Sequence, residues 1–239
     1  MQPEAQRIVE PLLEQLDRSL GSSYQALLYG SAARNEFVPG VSDLNLLLLH
    51  DRLGPDRLRD LAAALRGSGD RDLPPPLLLE REEWSRAADV FPIEIVDMQA
   101  AHVALRGPDP LEGLKVEPGD LRRALEHELR GKLLRLRQAY VLFAADPERL
   151  EEVVGSSVGS VAALFRALLA LAGREVPRDT PAAIRSAGTV IGTDSDPVRV
   201  LWEERRRKVT RCPPERFEGY LAAIAAAVGW VDKFTGGAK

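Results

Sequence analysis

Residues 24–49 read YQALLYGSAARNEFVPGVSDLNLLLL, and this stretch decides the fold. An apolar run, 24–29, stops at Gly30-Ser31. A polar loop punctuated by Pro39-Gly40 follows, and a second run opens at Asp43 and lasts to Leu49. The pattern predicts a strand, a tight turn, an irregular loop and a second strand. Leu46 to Leu49 show no alternation, which predicts a strand covered on both faces. A strand ending in Gly-Ser presents backbone N–H groups to whatever lies beyond it, and phosphate is the usual guest of such a turn. Asp43 and Asn45 are two apart, so in a strand their side chains leave the same face. A phosphate cradle beside a candidate metal ligand is a setting for chemistry on a nucleoside triphosphate. Plainer readings stand beside these: Gly30-Ser31 as a turn only, and Asp43 as an Asx turn at a strand start.

Upstream, Ile8, Val9, Leu12, Leu13, Leu16 and Leu20 fall at helical spacing and Gly21 follows, which predicts an amphipathic helix over 4–20. Downstream, residues 56–66 read as a helix, 67–76 as an exposed polar connection, 76–80 as a third strand and 82–88 as a short helix with Trp84 packed inward. FPIEIVDM at 91–98 alternates and predicts a fourth strand. Glu94, Val96 and Met98 would take one side of it, and Ile93, Ile95 and Asp97 the other. These elements make an α/β unit with a small mixed sheet.

Beyond Pro118 the pattern changes. Leu121, Leu125, Leu129, Leu133, Leu136, Tyr140 and Phe143 define one long helix with an apolar stripe. Further helices are predicted over 147–154, 158–172, 180–189, 197–209 and 215–234. Thr180-Pro181 and Asp196-Pro197 each read as an N-cap followed by proline at the first helical position. The second half is therefore an all-helical bundle. GPDPLEGLKVEP at 107–118 is the expected boundary, which divides the chain into domains 1–112 and 113–239.

The chain has 239 residues and a formal net charge of -4, which gives no support to a nucleic-acid binder that relies on a broad basic surface. A single cysteine, Cys212, allows no intramolecular disulfide and no cysteine-rich zinc site. No signal peptide is visible at the N-terminus, and no long uncharged apolar stretch predicts a membrane span. A cytoplasmic protein is expected, with a homodimer left open.

The order Gly30-Ser31, Ser42-Asp43-Leu44-Asn45-Leu46 and then an acidic residue further on resembles the nucleotidyltransferase superfamily. That superfamily includes DNA polymerase beta, the aminoglycoside nucleotidyltransferases and the minimal nucleotidyltransferases. The family pattern is Gly-Ser, about ten residues, Asp-x-Asp (or Glu), and a third carboxylate on a neighbouring strand. Glu94 in Ile93-Glu94-Ile95 is the best match to that third carboxylate, with Asp97 the alternative. Leu105-Arg106-Gly107-Pro108-Asp109 looks like a short element of the aminoglycoside-modifying branch, in which a helical bundle also follows. The resemblance implies a nucleotidyltransferase-like α+β fold, a small mixed sheet with flanking helices, followed by an all-α helical bundle.

The resemblance also implies Mg²⁺ and a nucleoside triphosphate, with ATP the expected one. Gly30 and Ser31 would hold phosphate, and Asp43, Asn45 and Glu94 would face the metal as the catalytic set. The departure is Asn45, which stands where the family has a second carboxylate. It offers an amide oxygen but no charge, so Asp43 and Glu94 would hold one ion with help from phosphate oxygens, and a second only weakly. Arg34 after the turn and Lys132 on the long helix are the candidate cations for phosphate, each also readable as a solvated charge. Glu126 and Glu128 are weaker candidates for a base on the bundle. His50, His102 and His127 are not paired as metal ligands. Arg205 to Lys208 read as cations at a helix C-terminus.

The expected activity is transfer of a nucleotidyl group to a hydroxyl of a small molecule or protein. The alternative, favoured by Asn45, is a catalytically impaired module that binds a nucleotide or a partner in regulation, of toxin–antitoxin type.

Overall fold

The computed structural model describes residues 1–68 and 73–235, so the expected connection at 67–76 lies partly outside the described residues. The chain divides into two compact units. One is Met1–Phe91 with Asp97–Lys115, and the other is Pro92–Val96 with the chain from Val116 onward.

In the first unit, α1 (Pro3–Leu20) buries Ala5, Val9, Leu12, Leu13, Leu16 and Leu20. Gly21 ends it with φ +63°, and its N–H bonds to Asp17 O at 3.0 Å. β1 (Tyr24–Tyr29) and β2 (Asn45–His50) form an antiparallel pair in which Tyr24 faces His50 and Tyr29 faces Asn45. The chain then runs through α2 (Pro55–Ser68), the crossover that a parallel pair requires, into β3 (Leu77–Glu80) beside β2. The sheet order is β3-β2-β1-β4, with β4 (His102–Arg106) antiparallel to β1. Ala26, Leu28, Leu46 and Leu48 share a core with α1 and α2. Leu27, Leu47 and Leu49 on the other face are equally buried, so β2 is covered on both sides as its composition predicts. After β3 comes α3 (Arg81–Trp84), where Trp84 is buried and its Nε1 donates to Pro110 O at 2.7 Å.

The strand expected over 91–98 is a helix, α4 (Pro92–Ala100), and the fourth strand is β4 instead. The alternation that suggested a strand also satisfies helical spacing, because Ile93 and Val96, and Ile95 and Met98, are i,i+3 pairs. Pro92 at the first helical position favours a helix. Ile93 and Val96 then join the core of the second unit, while Ile95 and Met98 are wholly buried. A segment this short carries no periodicity that separates the two states; long-range packing does.

The second unit is helical: α5 (Pro118–Phe143), α6 (Pro147–Leu171), α7 (Thr180–Ile191), α8 (Asp196–Arg206) and α9 (Pro214–Lys233). The two helices expected between 147 and 172 are one. Ser156 and Ser157 donate their hydroxyls to Val153 O and Val154 O, within the helix, instead of interrupting it. The buried positions Leu150, Val154, Val158, Val161, Phe165 and Leu168 hold register across them. By length and composition α6 is apolar enough to cross a membrane, but most of it is buried in this core.

Two expected caps are displaced by one residue. Asp179, not Thr180, caps α7, accepting from Ala182 N at 2.8 Å. Thr180 is buried and its Oγ1 accepts from Arg166 Nη1 at 3.3 Å. Ser195 occupies the N-cap of α8, and Asp194 accepts from Asp196 N.

Candidate functional site

Gly30 leaves β1 with φ +74°, a backbone conformation that side chains resist. A Cβ there would lie 2.6 Å from the Asn45 side-chain nitrogen, so the turn rests directly on the Asn45 amide. The chain then coils tightly. Arg34 N donates to Ser31 O at 3.1 Å and to Gly30 O at 3.3 Å, and Glu36 N donates to Ser31 O at 2.8 Å. Asn35 takes φ +62°, which its short polar side chain tolerates better than most. Ala32, Ala33 and Phe37 are buried and anchor the coil. Ser42 closes the far end: its N–H donates to Val38 O at 2.9 Å and its Oγ accepts from Val38 N at 3.2 Å. The serine of the Ser-Asp-x-Asn motif therefore shapes the loop.

Asp43 lies just before β2, not in it, and Asn45 opens the strand. Burial from 42 to 46 nevertheless alternates, with Ser42, Leu44 and Leu46 buried, Asp43 exposed and Asn45 half-buried. The two therefore share the open side, and the strand start sets an exposed carboxylate and a carboxamide next to the Gly30 turn.

The other expected site residues are placed as follows. Arg34, read as a cation reaching phosphate, has its guanidinium buried against Glu36 and Asp97. Glu94 is exposed in the first turn of α4. Asp97 is buried one turn later on the same helix. Lys132 lies half-buried on α5, and burial, with Arg135 nearby, holds its pKa below the ordinary lysine value. Glu94 and Lys132 belong to the second unit.

Glu126 is ion-paired with Arg122 at 3.2 Å and Arg130 at 3.0 Å along α5. Glu128 is exposed. Arg205 and Arg206 occupy the last turn of α8, the helix-end position expected of them. His50 lies 3.2 Å from Ser23 Oγ and 2.9 Å from Arg52 O, and His102 lies 2.8 Å from Met98 O and 3.0 Å from Asp109. Among the described residues, no three His, Cys, Asp or Glu side chains gather to hold a metal.

The Leu-x-Gly-x-Asp element has a packing explanation. A Cβ on Gly107, φ +71°, would fall 2.9 Å from Gln25 Cγ and 3.2 Å from Tyr24 O. Gln25 Nε2 donates to Pro108 O, and Asp109 accepts from Leu111 N. Sequence reasoning missed Glu36, an acidic residue in a polar loop whose burial has no local signal.

The chain matches no protein-family model and no curated protein. It does match solved structures, among them the crystal structure of the spectinomycin adenyltransferase AAD(9) from Enterococcus faecialis with ATP and spectinomycin. Identity is 14%, the match covers 95% of this chain and 99% of that one, and the TM-score is 0.57. The fold is nucleotidyltransferase-like. At this identity the likeness carries the arrangement of elements, a small mixed sheet with many helices, and not the side chains of a site.

Proposed function

We propose that this nucleotidyltransferase-like protein binds a nucleoside triphosphate with Mg²⁺ and transfers its nucleotidyl group to a hydroxyl of a small molecule or protein. The observation that carries the reading is the left-handed Gly30 turn seated on Asn45 beside the exposed Asp43. It offers backbone N–H groups for phosphate next to a hard oxygen ligand. AAD(9), which shares the fold, was solved with ATP and a small molecule, spectinomycin.

In this reading Gly30 and Ser31 receive phosphate, and Asp43 offers a charged ligand to Mg²⁺. Asn45 contributes a neutral oxygen. A bound Mg²⁺ would neutralise phosphate charge and favour ionisation of the attacking hydroxyl. The hydroxyl oxygen bonds to the α-phosphorus, the bond to pyrophosphate breaks, and the hydroxyl proton is released.

Asn45 also favours a second reading. With one charge fewer at the strand start, the protein binds nucleotide, or a partner, without turnover and acts in regulation. Calorimetric titration with ATP, with and without Mg²⁺, tests both. Mg²⁺-dependent affinity that Asp43→Ala abolishes supports the metal–nucleotide site. Equal affinity without metal sinks the metal reading, and no affinity at all sinks nucleotide binding. Nucleotidyl transfer that appears only in Asn45→Asp selects the impaired reading.

A further inference from the structure

The loop after the Gly30 turn is held by charges placed where charges are costly. The Arg34 side chain is 6% exposed and meets two carboxylates that are themselves nearly covered, Glu36 at 8% and Asp97 at 12%. Arg34 Nε donates to Glu36 Oε2 at 3.4 Å, and Nη1 lies 3.3 and 3.2 Å from the two Asp97 oxygens. Removing three ionised groups from water is expensive, and an apolar cluster of the same volume often stabilises a fold as well or better. Stability alone therefore does not account for the triad. Its placement does. Arg34 and Glu36 donate the two backbone N–H groups that close onto Gly30 O and Ser31 O, so they are the residues that shape the coil. Asp97 comes from α4, one turn beyond Glu94.

We infer that Arg34, Glu36 and Asp97 form a positioning clamp that presets the Gly30–Ser31 turn for phosphate. This rests on the nucleotide reading proposed above. Arg34 does not touch the phosphate in this scheme; it acts from behind the turn. Two carboxylates oppose its pull, so the guanidinium is fixed in place and the loop needs little ordering when the triphosphate arrives.

The test uses the full chain with Asp97→Asn, Arg34→Met and the triple variant Arg34→Met/Glu36→Leu/Asp97→Leu, which replaces all three charges at once. Two readouts are taken well below each unfolding temperature: hydrogen exchange at residues 31–36, and calorimetric titration with Mg²⁺–ATP. Asp97→Asn, which keeps shape and removes charge, is expected to raise exchange at the Arg34 and Glu36 amides and to weaken Mg²⁺–ATP by about tenfold, the loss of one charge-assisted contact. The triple variant is expected to recover the unfolding temperature and not the affinity, which a purely structural triad would not produce. Unchanged exchange in Asp97→Asn overturns the clamp whatever the nucleotide does. So does affinity within about twofold of the natural protein in both Asp97→Asn and the triple variant, well short of the tenfold that a lost contact predicts. If Arg34→Met and the triple variant fail to fold, Asp97→Asn decides alone. A natural protein that does not bind Mg²⁺–ATP refutes the nucleotide reading and this inference with it; a natural protein that binds while the variants match it refutes only the inference.

Discussion

Replacing Gly30 with alanine probes the centre of the site without any assumption about ligand. Two penalties arise. Holding a non-glycine residue at φ +74° costs about 1–2 kcal/mol. The new Cβ also falls 2.6 Å from the Asn45 side-chain nitrogen, so Asn45 must leave its rotamer, at about 0.5–1.5 kcal/mol. Together Gly30→Ala is expected to cost about 1.5–3.5 kcal/mol by these two terms. In an Asn45→Ala background the steric part disappears and only the backbone part remains, about 1–2 kcal/mol. The double-mutant cycle should therefore show a coupling of about 1 kcal/mol. The assay is urea denaturation followed by the fluorescence of Trp84, the tryptophan of the first unit, in a Trp202→Phe/Trp230→Phe background. A Gly30→Ala penalty equal in both backgrounds, to within about 0.3 kcal/mol, would show that the turn does not rest on Asn45 and would remove the geometric basis of the site.

Two further outcomes are expected. Burial pushes the Cys212 thiol up to about 11, from 9.0. Because the folded value is the higher one, this contribution to stability, about 2–3 kcal/mol, is intact below pH 9 and is lost as pH rises toward 11. Denaturation at pH 8 and pH 10.5, compared between the natural protein and Cys212→Ala, reads it as a steeper decline in the former. Tyr220→Phe removes the buried contact of 2.9 Å with Ser157, whose hydroxyl keeps its bond to Val154 O. With that partner kept, the cost should be only about 1 kcal/mol by urea denaturation, and a cost of 3 or more would contradict the intact serine bond.

The sequence by itself determined the elements whose signals are local. Gly21 and Gly30 mark the ends of α1 and β1 because only glycine takes their positive φ without strain. The unbroken leucines of β2 declare burial on both faces, and the 26-residue α5 is long enough for its stripe to be unambiguous. Gly30, Ser31, Asp43 and Asn45 were legible as candidates because they lie within one turn and one strand start.

Tertiary structure decided what depends on residues distant in the chain. Residues 91–98 satisfy the spacing of both strand and helix, and Pro92 with the burial of Ile93, Ile95 and Met98 selects α4. The serines near 156 break a helix or bond within it according to the core against which the helix lies. Arg34 looked like a loop cation because its partner Asp97 arrives from α4. A charge next to water and a charge buried in an ion-paired cluster have the same sequence signature. Only the long-range fold sets the dielectric and the partners that separate them.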